Sequence, residues 1–214
     1  LTDCAPTAQS IQLTFPARQS KNKKCKVKLP EVEVRWTDGG ITPDLPKGFP
    51  KDKQLDIDGP VIFYGTKDTL ICGCYGRDPW LLSGRMPNAP KTQREITLSH
   101  EMDWVRACKE SPENRVKPAS DFSEAGPFNE MVVMGVLAVR LQGLHRILDW
   151  DGPNMKFTNI SDTDEIEITK KDNFTVKDGH PTFGRDTEKL NAKSFAEELI
   201  KHTYRDGWAL PAMP

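Results

Sequence analysis

The chain has 214 residues, of which 36% are hydrophobic and 29% charged, and its formal net charge is −1. This length suffices for one large domain or two small ones, with enough apolar residues for a core. Lysine and arginine form no long basic stripe, which excludes the electrostatic footprint of a nucleic-acid-binding protein. No apolar run approaches the roughly 20 residues of a membrane-spanning helix. We therefore expect neither a nucleic-acid partner nor a membrane partner.

The first strands are predicted by alternating apolar residues. Residues 9–15 alternate between apolar and polar side chains, and residues 27–36 alternate around Pro30; this is the pattern of half-buried strands. Pro30 implies a bulge or an edge position. The basic run Lys21 to Lys28 predicts a turn, and the proline- and lysine-rich residues 41–58 predict a surface excursion.

A hairpin and a long loop follow. Residues 61–64 and 69–75 are rich in β-formers on either side of Gly65-Thr66-Lys67-Asp68, which predicts a hairpin. Residues 76–92 are rich in proline, glycine and arginine and predict a long loop. Loops of this length are uncommon in compact domains unless they have a function.

Three helices are predicted in the remainder of the chain. Ser99 predicts the N-cap of a helix over about 100–109, and a loop is expected over 118–127. Asn129 predicts the N-cap of a helix over 130–142 that ends at Gly143. Because this helix is apolar nearly all round, we expect it at the centre of the core. Short strands are predicted over 155–160 and 165–169, and an amphipathic helix from 192 to about 205.

This order of elements predicts an α+β fold with an open, predominantly antiparallel β-sheet and helices packed on one face. No internal boundary is evident, so residues 1–214 are predicted to form a single domain. The chain contains no G-x-G-x-x-G loop, no P-loop and no G-x-S-x-G elbow. These patterns alone indicate no function.

The five cysteines and the first residues of the chain add little. An odd number of cysteines cannot all pair within one chain, and Cys72 and Cys74 lack the further ligands that a metal site needs. We expect reduced, half-buried thiols and no metal.

Leu1 is not a methionine, and no signal-peptide pattern follows it. We expect the sequence to begin within a domain, with any targeting segment upstream, so cytoplasmic, periplasmic and secreted locations all stay open.

Seven short segments, in the same order, resemble the C-terminal domain of the bacterial glucose–fructose oxidoreductase / inositol dehydrogenase / rhizopine-catabolism (Gfo/Idh/MocA) family. The segments are Phe15-Pro16-Ala17-Arg18 with the strand before it, Trp36-Thr37-Asp38-Gly39-Gly40 with the strand before it, the hairpin over 59–70, His100 to Cys108, Glu130 to Arg140, Trp150-Asp151 to Asn159, and Tyr204-Arg205-Asp206-Gly207-Trp208. The sequence departs from the family pattern at Thr37, where tyrosine is usual, and at Asp68, where glycine is usual.

The resemblance implies the C-terminal fold of glyceraldehyde-3-phosphate dehydrogenase and a division of labour with a second domain. Family members place a Rossmann domain with the NAD or NADP loop and the catalytic lysine before this domain. An Asp and His motif of theirs also lies upstream of the first strand seen here. The resemblance therefore implies no catalytic or cofactor-binding residue within this chain. It implies two protein partners, the missing Rossmann domain and a second copy that pairs through the sheet face.

For function, the resemblance implies an NAD(P)-dependent oxidoreductase acting on a sugar or polyol derivative, with this chain as part of the cleft wall and subunit interface. Some relatives use transient oxidation to cleave glycosides, so an NAD-dependent glycosidase is an alternative. A stand-alone carbohydrate- or partner-binding module is a second alternative. The fragment alone is expected to be inactive.

Candidate substrate-binding residues are aromatic or hydrogen-bonding side chains near predicted loops and element ends. They are Arg18, Arg77, Trp80, Arg85, Tyr204 and Arg205. Trp80 lies in the long predicted loop with two of the arginines, where an indole is available to stack on a sugar ring. Arginine binds hydroxyl, carboxylate or phosphate groups, although a surface ion pair is the ordinary alternative for each one.

Overall fold

A computed structural model describes residues 5–19, 28–86 and 99–211. Its internal contacts divide the chain into two compact units, Leu1–Ile41 with Phe122–Pro214, and Thr42–Asp121. We call these the terminal unit and the middle unit. The prediction that residues 1–214 act as one domain stays a prediction.

The described residues form eleven strands and three α-helices. The strands are β1 (Gln9–Phe15), β2 (Arg18–Gln19), β3 (Lys28–Leu29), β4 (Val32–Asp38), β5 (Val61–Tyr64), β6 (Thr69–Cys72), β7 (Trp80–Leu81), β8 (Trp150–Asp151), β9 (Lys156–Phe157), β10 (Glu165–Lys177) and β11 (His180–Asn191). The helices are α1 (His100–Lys109), α2 (Phe122–Arg140) and α3 (Ala192–Ile200). All the strand pairs are antiparallel, which confirms the α+β class with open antiparallel sheets. Among the described residues these six pairs form five separate sheets instead of one continuous layer.

In the terminal unit, the predicted alternation is confirmed along β1 and over residues 32–34 of β4, and it is wrong at Trp36, which is exposed. β1 pairs with β4, with Ile11 opposite Trp36 and Leu13 opposite Val34. Helix α2 packs on this pair where Gly135 faces Ile11, and a Cβ at position 135 would lie 3.1 Å from the Ile11 Cδ1 atom. A glycine therefore lets the helix approach the strand closely. Of the predicted turn over 21–28, residues 21–27 lie outside the described residues.

Helix α2 begins earlier than the sequence predicts. It spans Phe122–Arg140 with Pro127 inside it, so the loop expected over 118–127 is wrong for its second half. Asn129 does not cap the helix, since its side-chain amide donates to the Ala125 carbonyl one turn earlier. The expectation of a fully central helix is also wrong: Leu137 is buried, whereas Val133 is about half exposed.

The main core of the terminal unit lies where the β10–β11 hairpin meets α3. Its buried members are Leu141, Ile160, Ile166, Ala192 and Ala196. β10 continues well past the short strand predicted over 165–169, and β11 was not predicted at all. The register of this hairpin shifts at a β-bulge between Thr169 and Lys171.

Helix α3 follows β11 directly, with no loop between them. The Asn191 side-chain oxygen accepts a hydrogen bond of 2.9 Å from the Ser194 backbone N–H, and Asn191 thereby caps the helix. The helix ends at Ile200, short of the predicted residue 205, and residues 204–208 follow it as an exposed segment.

The middle unit contains a three-stranded sheet, in the order β5-β6-β7, and helix α1. The predicted hairpin around residues 65–68 is confirmed, and so is Ser99 as N-cap of α1, accepting from the Met102 backbone N–H at 3.3 Å. The long loop predicted over 76–92 is wrong in one respect, because residues 80–81 form β7 and pair with β6. Residues 87–92 of that prediction lie outside the described residues.

Candidate functional site

A concavity of about 530 Å³ lies in the middle unit beside β6 and β7. We call it the Trp80 concavity. Its wall combines apolar, acidic and basic side chains, namely Lys53, Gln54, Leu55, Asp56, Ile71, Cys72, Gly73, Arg77, Asp78, Pro79 and Trp80. Two of the six predicted substrate-binding residues, Trp80 and Arg77, therefore lie together.

Trp80 is held on three sides. Its backbone pairs with Ile71 in the sheet, and the Ile71 side chain is buried. Its ring meets the Phe49 ring edge to face, with centroids 5.8 Å apart. The Lys53 ammonium lies 3.9 Å from the Trp80 ring centroid, which is a cation–π contact. The half-buried indole thus forms part of the wall, and the exposed side chain of Lys53 lies over it.

Asp56 lines the concavity and accepts hydrogen bonds from two backbone N–H groups. One carboxylate oxygen accepts from the Asp58 backbone N–H and the other from the Cys74 backbone N–H, each at 2.9 Å. These two hydrogen bonds, and then the nearby Arg77 charge, hold the pKa of Asp56 below its usual value. A Cβ at Gly73 would lie 2.4 Å from this carboxylate, so only glycine leaves room for it.

Arg77 is already engaged by neighbouring groups. Its Nη2 atom lies 3.5 Å from the Asp56 carboxylate and 3.7 Å from that of Asp58. Its Nε–H donates to the Cys74 carbonyl at 3.1 Å. The guanidinium is therefore compensated by two carboxylates, which agrees with the ordinary ion-pair alternative for this residue.

The tight turn between Gly73 and Asp78, two residues of the wall, has an unusual backbone. Tyr75, Gly76 and Asp78 all have positive φ, at 59°, 74° and 47°. Such a conformation disfavours tyrosine and is better tolerated by aspartate. Tyr75 is 97% exposed. Within the described residues, the Asp78 carboxylate makes no hydrogen bond or ion pair, although it lines the concavity.

The other four predicted residues lie elsewhere. Arg85 follows β7 and its guanidinium is 3.6 Å from the Asp68 carboxylate, outside the wall of the concavity. Arg18 lies in the short exposed strand β2 of the terminal unit. Tyr204 and Arg205 lie in the exposed segment after α3, with the Arg205 guanidinium 5.4 Å from the Trp208 ring centroid.

Sequence reasoning missed Phe49, Lys53 and Asp56, which all come from the segment predicted only as a surface excursion. They reach Trp80 and Cys74 across 18 or more positions of sequence, and such contacts have no local pattern. One local signal existed for Asp56. An aspartate that accepts the backbone N–H two residues on, here that of Asp58, forms an Asx turn.

Cysteine and metal chemistry contribute little to this site. Cys72, Cys74 and Cys108 are free; Cys72 is buried in the wall, and Cys74, which does not line the concavity, is partly buried. No group of three or more metal-binding side chains occurs in the part of the chain that the structure describes. No helix of the described ranges is both long enough and apolar enough to cross a membrane.

Comparison with known proteins assigns no family. No protein-family model matches the chain, and no curated protein matches it significantly. The geometry of the Trp80 concavity and the resemblance of the seven sequence segments are therefore the two supports for any functional proposal.

Proposed function

We propose that this chain is the C-terminal, substrate-binding domain of an NAD(P)-dependent oxidoreductase of the Gfo/Idh/MocA type, and that the Trp80 concavity binds a sugar or polyol derivative. The observation that carries this proposal is the half-buried indole of Trp80 beside Asp56, Lys53 and Arg77 in one concavity. The resemblance of the seven segments supports the class of enzyme.

The chemistry of the wall suits a sugar. Small-molecule sites are largely apolar with a few well-placed polar groups that fix orientation, and an aromatic face covers the C–H-rich side of a pyranose or cyclitol ring. Charged side chains around the ring can accept or donate hydrogen bonds to hydroxyl groups at its edge. When bound, NAD(P) supplies hydride transfer. No residue of this chain is assigned to the dinucleotide, because the chain has no Gly-rich phosphate loop.

The proposal is tested by calorimetric titration of the full chain with D-glucose and with myo-inositol, without cofactor. We expect binding, and a weakening of about tenfold in Trp80→Ala, because the stacking surface is lost. The matched control is Trp104→Ala, which removes a half-exposed tryptophan of α1 that does not line the concavity. Equal affinities for the Trp80→Ala variant and the parent would contradict the proposal.

A second candidate, a stand-alone carbohydrate-binding module, is favoured by one observation. Every residue of the Trp80 concavity belongs to the middle unit, so sugar binding there requires no other domain. The two candidates predict different gene sequences upstream of Leu1. An open reading frame that continues upstream into a G-x-G-x-x-G loop supports the oxidoreductase, and a natural start codon just before Leu1 supports the module.

We also propose that the domain assembles with a second copy through a sheet face, as the resemblance implies. The exposed apolar side chains Phe174, Val176 and Phe183 of the β10–β11 hairpin support this proposal. Sedimentation velocity over a range of concentrations is the test. A monomer at the highest concentration would rule the assembly out.

A further inference from the structure

The contact between Lys53 and Trp80 bears on the substrate class, and the following step rests on the proposed sugar-binding function. The Lys53 ammonium occupies one face of the indole at 3.9 Å from its centroid. A neutral sugar that stacks on this face has to displace a cation, whereas a cationic ligand replaces one cation by another. The contact between Lys53 and Trp80 therefore indicates that this face of the indole binds a positively charged group.

The remaining charges of the wall also favour a cationic ligand. Asp56 and Arg77 compensate each other, and Asp56 also accepts two backbone N–H groups. Asp78 is the acidic group left over, since its carboxylate has no ion pair or hydrogen bond among the described residues. Once Lys53 swings into solvent, the wall presents an aromatic face, an unpaired carboxylate and no uncompensated cation.

We propose that the Trp80 concavity selects a cationic ligand, an amino sugar or amino polyol, whose ammonium group displaces Lys53 from the Trp80 ring and pairs with Asp78. Lys53 then acts as an internal competitor that occupies the site when no ligand is present. Cation–π attraction at a partly exposed indole and an ion pair with Asp78 supply the preference over a neutral sugar. An anionic sugar meets the Asp78 carboxylate and is disfavoured.

The test uses three probes with the same ring and different charge, D-glucosamine, D-glucose and D-glucuronate, titrated into the full chain at pH 6.5. We expect glucosamine to bind about three- to tenfold more tightly than glucose, and glucuronate more weakly than either. Asp78→Asn should remove most of the preference for glucosamine. Asparagine tolerates the positive φ of 47° at this position, so the turn is retained.

The competitor role of Lys53 has its own variant. Lys53→Met keeps a similar length and removes the charge, and should strengthen glucosamine binding about two- to fivefold because the internal cation is gone. Lys51→Met is the control, since Lys51 precedes Lys53 by two residues and does not line the concavity. An unchanged or weakened affinity in Lys53→Met would overturn the competitor role.

The outcomes separate this inference from the proposed function. If glucose binds in a Trp80-dependent way and glucosamine binds no more tightly, the selection of a cation is overturned and the sugar site stands. If none of the three probes binds, both proposals fail.

Discussion

The two halves of the β10–β11 hairpin each carry an apolar cross-strand pair, and the two pairs have different surroundings. At the end near α3, Ile166 is 3% exposed and lies opposite Leu190, which packs against the same core. At the far end, Phe174 lies opposite Phe183, and these rings are 61% and 77% exposed. Both halves place apolar side chains across a ladder. The difference teaches that a covering layer, here α3 and Leu141, determines how much an apolar pair contributes to stability.

The largest effect is expected at the covered end. Leu141 is 1% exposed within the core cluster, so Leu141→Ala should lower the free energy of unfolding by about 3 kcal/mol, through lost burial and the cavity left behind. Urea denaturation measures this loss. The control is Val133→Ala on the half-exposed side of α2, which should cost under about 1 kcal/mol. Similar losses for both variants would contradict the assignment of the core.

A smaller effect is expected from an ion pair at the same end of the hairpin. Asp164 accepts hydrogen bonds from Arg146 and from the Ser161 backbone N–H, and these hold the pKa of Asp164 at about 2, below its ordinary value of 3.8. Because the folded-state pKa is the lower one, this stabilisation is fully present above about pH 4. It is lost as the pH falls toward about 2.

We therefore expect Asp164→Asn to lower the urea midpoint at pH 7 and pH 5, and to lower it less at pH 3. Asp178→Asn is the control, because Asp178 lies at the far tip of the hairpin and asparagine accepts its positive φ of 51°. A midpoint difference between the parent and Asp164→Asn that is the same at pH 3 and pH 7 would show that the ion pair does not carry the effect.

The smallest effect is expected at the uncovered end. Phe183→Ala removes a ring whose centroid lies 5.3 Å from that of Phe174, and exposed cross-strand pairs contribute about 0.2–1 kcal/mol. For the monomer, in urea denaturation at a protein concentration too low for the proposed assembly, the free energy of unfolding should fall by less than about 1 kcal/mol. A loss as large as that of Leu141→Ala would mean that this end of the hairpin is covered in solution.

The sequence predicts the elements whose signals are local. Ser99 ahead of α1, the alternation of β1 and the turn residues between β5 and β6 each depend on a few neighbouring side chains, and the structure confirms them. β11 was missed because its middle, residues 184–189, carries glycine and charges with no apolar alternation. The start of α2 was missed because Pro127 breaks the predicted pattern, although the helix continues through it.

The candidate site was only partly predictable for a related reason. Trp80 and Arg77 are predictable as candidate binding residues from their residue types, since an indole and a guanidinium in one loop are typical of a binding surface. Lys53 and Phe49 reach the indole only through the folding of the segment before β5. Neither residue carries a sequence signal of that contact. The pairing of Arg77 with Asp56 depends on the same non-local approach.

The bulge in β10 has a geometric consequence for the hairpin. Side chains alternate without interruption along β11, so Leu190 and Phe183, seven positions apart, point to opposite sides of the ribbon. In β10, Ile166 and Phe174 are eight positions apart, and in a regular strand their side chains would point to the same side. The extra residue between Thr169 and Lys171 reverses the alternation beyond it, so that Phe174 points to the side opposite Ile166. A single inserted residue thus turns the distal phenylalanines to the back of the ribbon, away from the surface that α3 seals.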